Sequence, residues 1–198
     1  MTVAHIYTVA FQGIEAQPVD VQVHISDTGN GQLTIVGLAD KAVAESRERV
    51  RAAFTGPGLA LPARRIVVNL APADLPKEGG HYDLPIALGM MAAMGVIPPD
   101  SLTEWAAVGE GGLDGQIAPV AGAVAASAMG LGLICPEACG PEAAWVGDCR
   151  VLAPRSLISL VNHFHGLQVL GQPAPLRLDG RPDRRRAEGQ ARRSVDCA

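Results

Sequence analysis

Lysine is almost missing from this 198-residue chain, with Lys41 and Lys77 the only two beside 14 arginines. Aromatic residues are scarce at 4% and charged residues make up 18%. No GxxxxGK(S/T) string occurs, which excludes nucleotide binding in the P-loop manner. No charged N-terminal region precedes an apolar run, so no signal peptide is expected. The longest uncharged stretch, 115–136, contains Gln116, Pro119 and Ser127. A loop, a small-residue helix and a short strand account for it better than a membrane span does. A soluble cytoplasmic protein without membrane contacts is the expectation. The four cysteines, at 135, 139, 149 and 197, lack the paired CxxC spacing of a zinc site and read as free thiols.

What the chain does have is apolar content, 48%, which excludes global disorder and suffices for a core. The formal net charge is −4, which excludes a globally basic nucleic-acid binder but not a local basic patch. That charge is an average of two unlike parts. Residues 1–180 hold 10 basic and 17 acidic side chains, a net of −7, whereas 181–198 hold six Arg and three acids, a net of +3. The end segment has almost no large apolar residue, so it is expected to be a basic disordered tail at 179–198 after a domain at 1–178.

Alternation in VDVQVHIS and the runs HIYTVAFQG and LTIVG predict three N-terminal strands, read as an antiparallel meander turned by DTGNGQ. Asp40 predicts an N-cap for KAVAESRERVRAAF, with Val43, Val50 and Phe54 on one face and Glu45 one turn before Arg49. RRIVVNL reads as a buried strand, and HYDLPIALGMMAAM as a helix apolar nearly all round. WAAVGE and GGLDGQIAP follow as a strand and a hairpin-like turn. A helix opened by Pro119, the strands LGLIC and RVLAP with a helical piece between them, and a helix over 155–165 complete an α/β sandwich with a mixed sheet.

Chemistry concentrates at the strand-to-helix junction Lys77, Glu78, Gly79, Gly80, His81, Tyr82 and Asp83. Helix N-terminal amides there can hold an anion, while a capped helix start explains the same residues. The other histidines, His5, His24, His163 and His165, have no metal-ligand spacing. Arg47, Arg49 and Arg51, with Arg64 and Arg65, offer a patch that could track a phosphate backbone, partly neutralised by Glu45 and Glu48.

The strings VGLADKAVAESRERVRAAF and NLAPADLPKEGGHYDLPIALG, with GEGGLDGQIAPVAGAVAAS, resemble the N-terminal domain of the ComM/YifB family of Mg-chelatase-like AAA+ proteins over about residues 3–170. The last string is more distantly similar to the Lon proteolytic domain. The resemblance implies a Lon-protease-type α/β fold, also found in a ribosomal protein. It further implies a following AAA+ module that acts as a ring-shaped DNA-remodelling motor in natural transformation. ATP and Mg would belong to that module, with no cofactor in this chain. No Walker A motif occurs before Ala198, so the family pattern predicts a chain truncated before the motor. Lon cleaves peptides with a Ser-Lys dyad, and the resemblance lays His81 on the serine and Val124 on the lysine. Valine cannot accept a proton, so a non-catalytic domain serving ring assembly and DNA guiding is expected. The competing expectations are a hydrolase using Ser101, Ser127 or Ser156, and an inactive remnant.

Overall fold

The computed structural model describes residues 3–13, 15–29, 31–56 and 58–176. The domain boundary and basic tail expected at 179–198 lie outside the described residues. Among the described residues, nine strands and five α-helices follow in the expected order, except that the single strand expected over WAAVGE is divided into two. They are β1 (Ala4–Gln12), β2 (Glu15–Ile25), β3 (Leu33–Val36), α1 (Lys41–Thr55), β4 (Ile66–Ala71), α2 (Asp83–Ala93) and β5 (Trp105–Ala107), followed by β6 (Glu110–Gly111), β7 (Ile117–Ala118), α3 (Ala123–Ser127), β8 (Gly132–Ile134), α4 (Gly140–Ala143), β9 (Val151–Leu152) and α5 (Leu157–Phe164).

Seven strands form one mixed sheet in the order β3-β4-β2-β1-β5-β8-β9, and β6 and β7 form a separate hairpin. The fold is therefore α/β with a mixed sheet. The antiparallel meander is corrected, because only β1 and β2 pair that way among the first three strands. β4 inserts beside β2 and runs antiparallel to it, and β3 lies parallel to β4. The reason is burial on both flanks. β4 offers six register partners to β2, from Asp20–Ala71 to Ile25–Ile66, whereas β3 is four residues long and is left at the edge. The segment after β2 is consequently a wider loop, fastened where Ser26 N–H donates to the Arg65 carbonyl at 3.0 Å.

Period-2 alternation sends side chains of one strand to two different cores. Ile6 and Ala10 of β1 join a core with α1, α2 and α5, while Val9 joins a second core with α3 and α4. α2 is the central helix. Its residues Asp83 to Ala92 are all buried, as the apolar sequence predicts. Gly89 permits this depth, since a Cβ there would lie 2.7 Å from a Val23 methyl. Each buried Leu, Ile or Met of α2 contributes about 1.5–3 kcal/mol. On α1, Asp40 accepts from the Val43 N–H at 2.7 Å, and Val43, Val50 and Phe54 face the core as their spacing requires.

One helix is shorter than expected. α3 begins at Ala123 and not at Pro119, because Gly122 takes a left-handed conformation (φ +87) under the Phe11 ring. Strand pairing brings His5 Nδ1 to 3.2 Å from Asp20. Cys135, Cys139 and Cys149 are free thiols. No described helix is long and apolar enough to cross a membrane.

Candidate functional site

The loop from β4 to α2 is stitched to the turn before α1 by backbone pairing. Lys77 N–H donates to the Leu38 carbonyl at 3.2 Å, and Asp40 N–H donates to the Lys77 carbonyl at 3.0 Å. Lys77 itself is fully buried, and its Nζ donates to the Pro72 carbonyl. Burial pushes its pKa down, against the field of Asp74. Glu78 is exposed. Gly79 adopts φ +95, a conformation that favours glycine, and its N–H lies 3.4 Å from the Asp40 carboxylate. Gly80 faces Glu110 closely enough that a Cβ would sit 2.9 Å from the carboxylate.

Asp83 opens α2 but does not serve as a free helix-terminal carboxylate. It is 1% exposed and accepts Arg49 Nε at 2.5 Å, Arg49 Nη2 at 3.1 Å and the Gly111 N–H at 3.0 Å. Asp83 thereby joins three pieces of chain: α1, the start of α2 and the β6–β7 hairpin. The hydrogen bond to Asp83 raises the pKa of Arg49, and the fields of Asp83, Glu110 and Glu45 act in the same direction against desolvation. The Glu45 contact foreseen from the i,i+4 spacing is loose at 3.9 Å.

The arginines thus separate. Arg47 Nε pairs with Glu48 at 3.1 Å, and Arg51 Nη1 reaches the Gly31 carbonyl at 3.2 Å. Gly31 lies beside Ala63, and Arg65 N–H contacts the Thr28 carbonyl at 3.4 Å. Arg51 therefore shares one end of the molecule with exposed Arg64 and Arg65. Arg49 points elsewhere.

His81 is 6% exposed, and its Nε2 donates to the Val9 carbonyl at 2.8 Å. Its ring packs between Phe11, at 5.2 Å between centroids, and Tyr82, at 4.2 Å. Burial lowers its pKa, outweighing the Val9 bond and the fields of Asp83 and Asp40. With Nε2 carrying the proton, Nδ1 is an acceptor, and it has no hydrogen-bond partner among the described residues. The unfolded chain takes up a proton first on acidification, so stability is full above about pH 6.5 and falls below it. The variant His81→Gln retains a donor for Val9. It is expected to lose less stability than the parent between about pH 7 and pH 5, as measured by urea unfolding at both values.

Val124, the second residue of α3, is half-buried, and its carbonyl accepts Ser127 Oγ at 2.7 Å. The Phe11 ring packs on His81 and also covers Gly122, where any Cβ would collide with it. A phenyl group thus stands between His81 and the start of α3. Ser101 Oγ donates to the Pro98 carbonyl at 2.6 Å, and Ser156 caps α5 by accepting the Ser159 N–H at 3.4 Å. Lys41 is an exposed partner of Glu45. Among the described residues, no three His, Cys, Asp or Glu side chains are grouped to hold a metal ion.

His81 opens on a cleft of about 340 Å³, whose walls include Phe11, Glu78, Glu110 and Val120. Sequence reasoning missed Phe11 and Glu110, although Glu110 stands in one of the strings that carry the resemblance; Phe11 reaches the loop from β1 and Glu110 from the β6–β7 hairpin, which only the tertiary structure brings together. The Arg49–Asp83 pair was also missed, although both residues stand in the strings that carry the family resemblance.

Fold and site together define a mixed-sheet α/β domain whose central loop is organised by a buried ion pair and a neutral histidine. The family model described as subunit ChlI of Mg-chelatase matches residues 21–133. The chain belongs to this Mg-chelatase-like family, in its ComM/YifB group. It is 46% identical over 127 residues to the uncharacterized protein YifB of Escherichia coli, covering 64% of this chain and 25% of that relative. It is 38% identical over 174 residues to the competence protein ComM of Haemophilus influenzae, covering 86% and 34%. An uncharacterized protein of Mycobacterium bovis is 34% identical over 171 residues, covering 84% and 34%. The chain spans a quarter to a third of the length of these relatives.

Proposed function

We propose that this chain is a non-catalytic, Lon-like N-terminal domain that assembles with an AAA+ motor and guides DNA to it in the cytoplasm, in the context of competence and recombination. The observation that carries the non-catalytic part is the seating of Phe11 between His81 and α3. On the Lon-type alignment His81 and Val124 hold the nucleophile and base positions, and an inert aromatic ring stands between His81 and the start of the helix that carries Val124. ATP and Mg are assigned to the motor and not to this domain. Self-association or ring assembly is the partner mode the reading requires.

The DNA part rests on Arg51, Arg64 and Arg65 sharing one end, with Arg47 one helical turn along α1. Arg49 is left out, because its guanidinium is bonded to Asp83. Phosphate contacts release counterions, so binding should weaken steeply with salt. Replacing Arg47, Arg51, Arg64 and Arg65 together by Ala is expected to lower affinity for single-stranded DNA at least tenfold. The slope of log affinity against log salt should become shallower by about 3, at about 0.7 per phosphate contact. Fluorescence anisotropy over a salt series measures both, and an unchanged affinity would remove the DNA role.

A further inference from the structure

We infer that residues 72–79, with the turn 37–40 to which they pair, form a strap that opens as a unit while the sheet and α2 stay folded. The ties are few. Among the described residues, two backbone hydrogen bonds join strap to turn, from Lys77 N–H to the Leu38 carbonyl and from Asp40 N–H to the Lys77 carbonyl. A long contact of 3.4 Å from the Gly79 N–H to the Asp40 carboxylate adds little. Residues 72, 73, 74, 76 and 78 are exposed, so Leu75 and Lys77 are what the strap turns inward.

Three features make the closed form costly. Lys77 is wholly buried, yet its amine has one acceptor, the Pro72 carbonyl, and no carboxylate at ion-pair distance among the described residues. Such a group gives up most of its hydration, and opening returns it to water. Tyr82, just after the strap, is also wholly buried, and its hydroxyl has no hydrogen-bond partner among the described residues. The charges whose fields reach that hydroxyl, Asp40 and Glu78, stand on the turn and on the strap. Leu38 supplies the third cost. It holds φ +50, a left-handed conformation that a large apolar residue rarely adopts, and its side chain is exposed. Strain and unpaired polar groups gathered on one exposed segment bring its local opening below global unfolding in free energy. A partner that binds the open strap therefore selects a form already present in the free protein, at little conformational cost. The inference uses none of the arginines of the DNA reading.

The two lysines make the test direct. Lys41 is exposed and Lys77 is buried, so acetylation of the full chain by a water-soluble succinimidyl ester reads opening against an internal reference. With each lysine followed by mass spectrometry, Lys77 is expected to react at least about a hundredfold more slowly than Lys41. Native-state hydrogen exchange gives the second reading. The Asp40 and Lys77 amides should open at least about tenfold more often than the α2 amides at 88–91, with a weaker urea dependence. Tyr82→Phe deletes the unpartnered hydroxyl and should lower strap opening about tenfold. Lys77→Met replaces the enclosed amine by an apolar chain and should lower it too, read at the Asp40 amide. Reduced opening in either variant supports the strap, and unchanged or increased opening in both overturns it. Acetylation of Lys77 as fast as that of Lys41 would overturn it as well, as would one opening equilibrium and one urea dependence shared with the α2 amides.

Discussion

Arg49→Ala is expected to destabilise the domain by about 3–5 kcal/mol, read as the shift in urea unfolding free energy. The magnitude follows from what is left behind. Asp83 is 1% exposed and receives two hydrogen bonds from Arg49. Removing the guanidinium leaves a buried carboxylate with the Gly111 N–H as its remaining protein donor. Desolvation of that charge then stands largely uncompensated. The same change also releases the Ala42 carbonyl and Ser46 hydroxyl contacts made by Nη2, at 3.1 and 3.3 Å. The double variant Arg49→Met with Asp83→Leu is the informative companion. Because it removes both charges and leaves apolar volume, it should be more stable than Arg49→Ala alone. If the double variant is instead the less stable, the pair is not a mutually compensating unit.

Gly37→Ala is the second large effect, expected to cost about 3 kcal/mol or to abolish folding at 37 °C. Gly37 joins β3 to the turn before α1 at φ +110, and a Cβ there would collide with the Leu70 carbonyl of β4. Two penalties coincide: a backbone conformation that side chains rarely adopt, and a clash with main chain that cannot rotate away. Gly58→Ala separates them. That residue also has positive φ (+80), but nothing lies near its Cβ position, so only the conformational part, about 1 kcal/mol, should appear. Similar losses for both variants, measured by thermal and urea unfolding, would show that the clash is relieved by movement of β4.

The local elements were legible because their signals are local. Asp40 caps α1, the 43–50–54 spacing faces the core, and the uniformly apolar α2 is buried all round. The neighbouring strand pairing was not. β3 reads like a third member of a meander, and only the competition for the flank of β2 puts β4 between them. The α3 start was misread for a related reason. Pro119 is a good opening signal, but Phe11, more than a hundred residues earlier, packs on Gly122 and delays the helix.

The candidate site divides in the same way. Sequence alone identified the loop from Lys77 to Asp83 and its likeness to a family, because these depend on residue order. Tertiary structure alone decided that Arg49 serves Asp83 and not a solvent-facing patch, and that Phe11 and Glu110 complete the cleft at His81. The physical reason is the sheet. Its order β3-β4-β2-β1-β5-β8-β9 is set by which strands bury both faces and flanks. That choice determines which distant side chains meet. Even the scarcity of lysine gained a structural meaning: one of the two lysines, Lys77, is wholly buried in the loop that the family resemblance singled out.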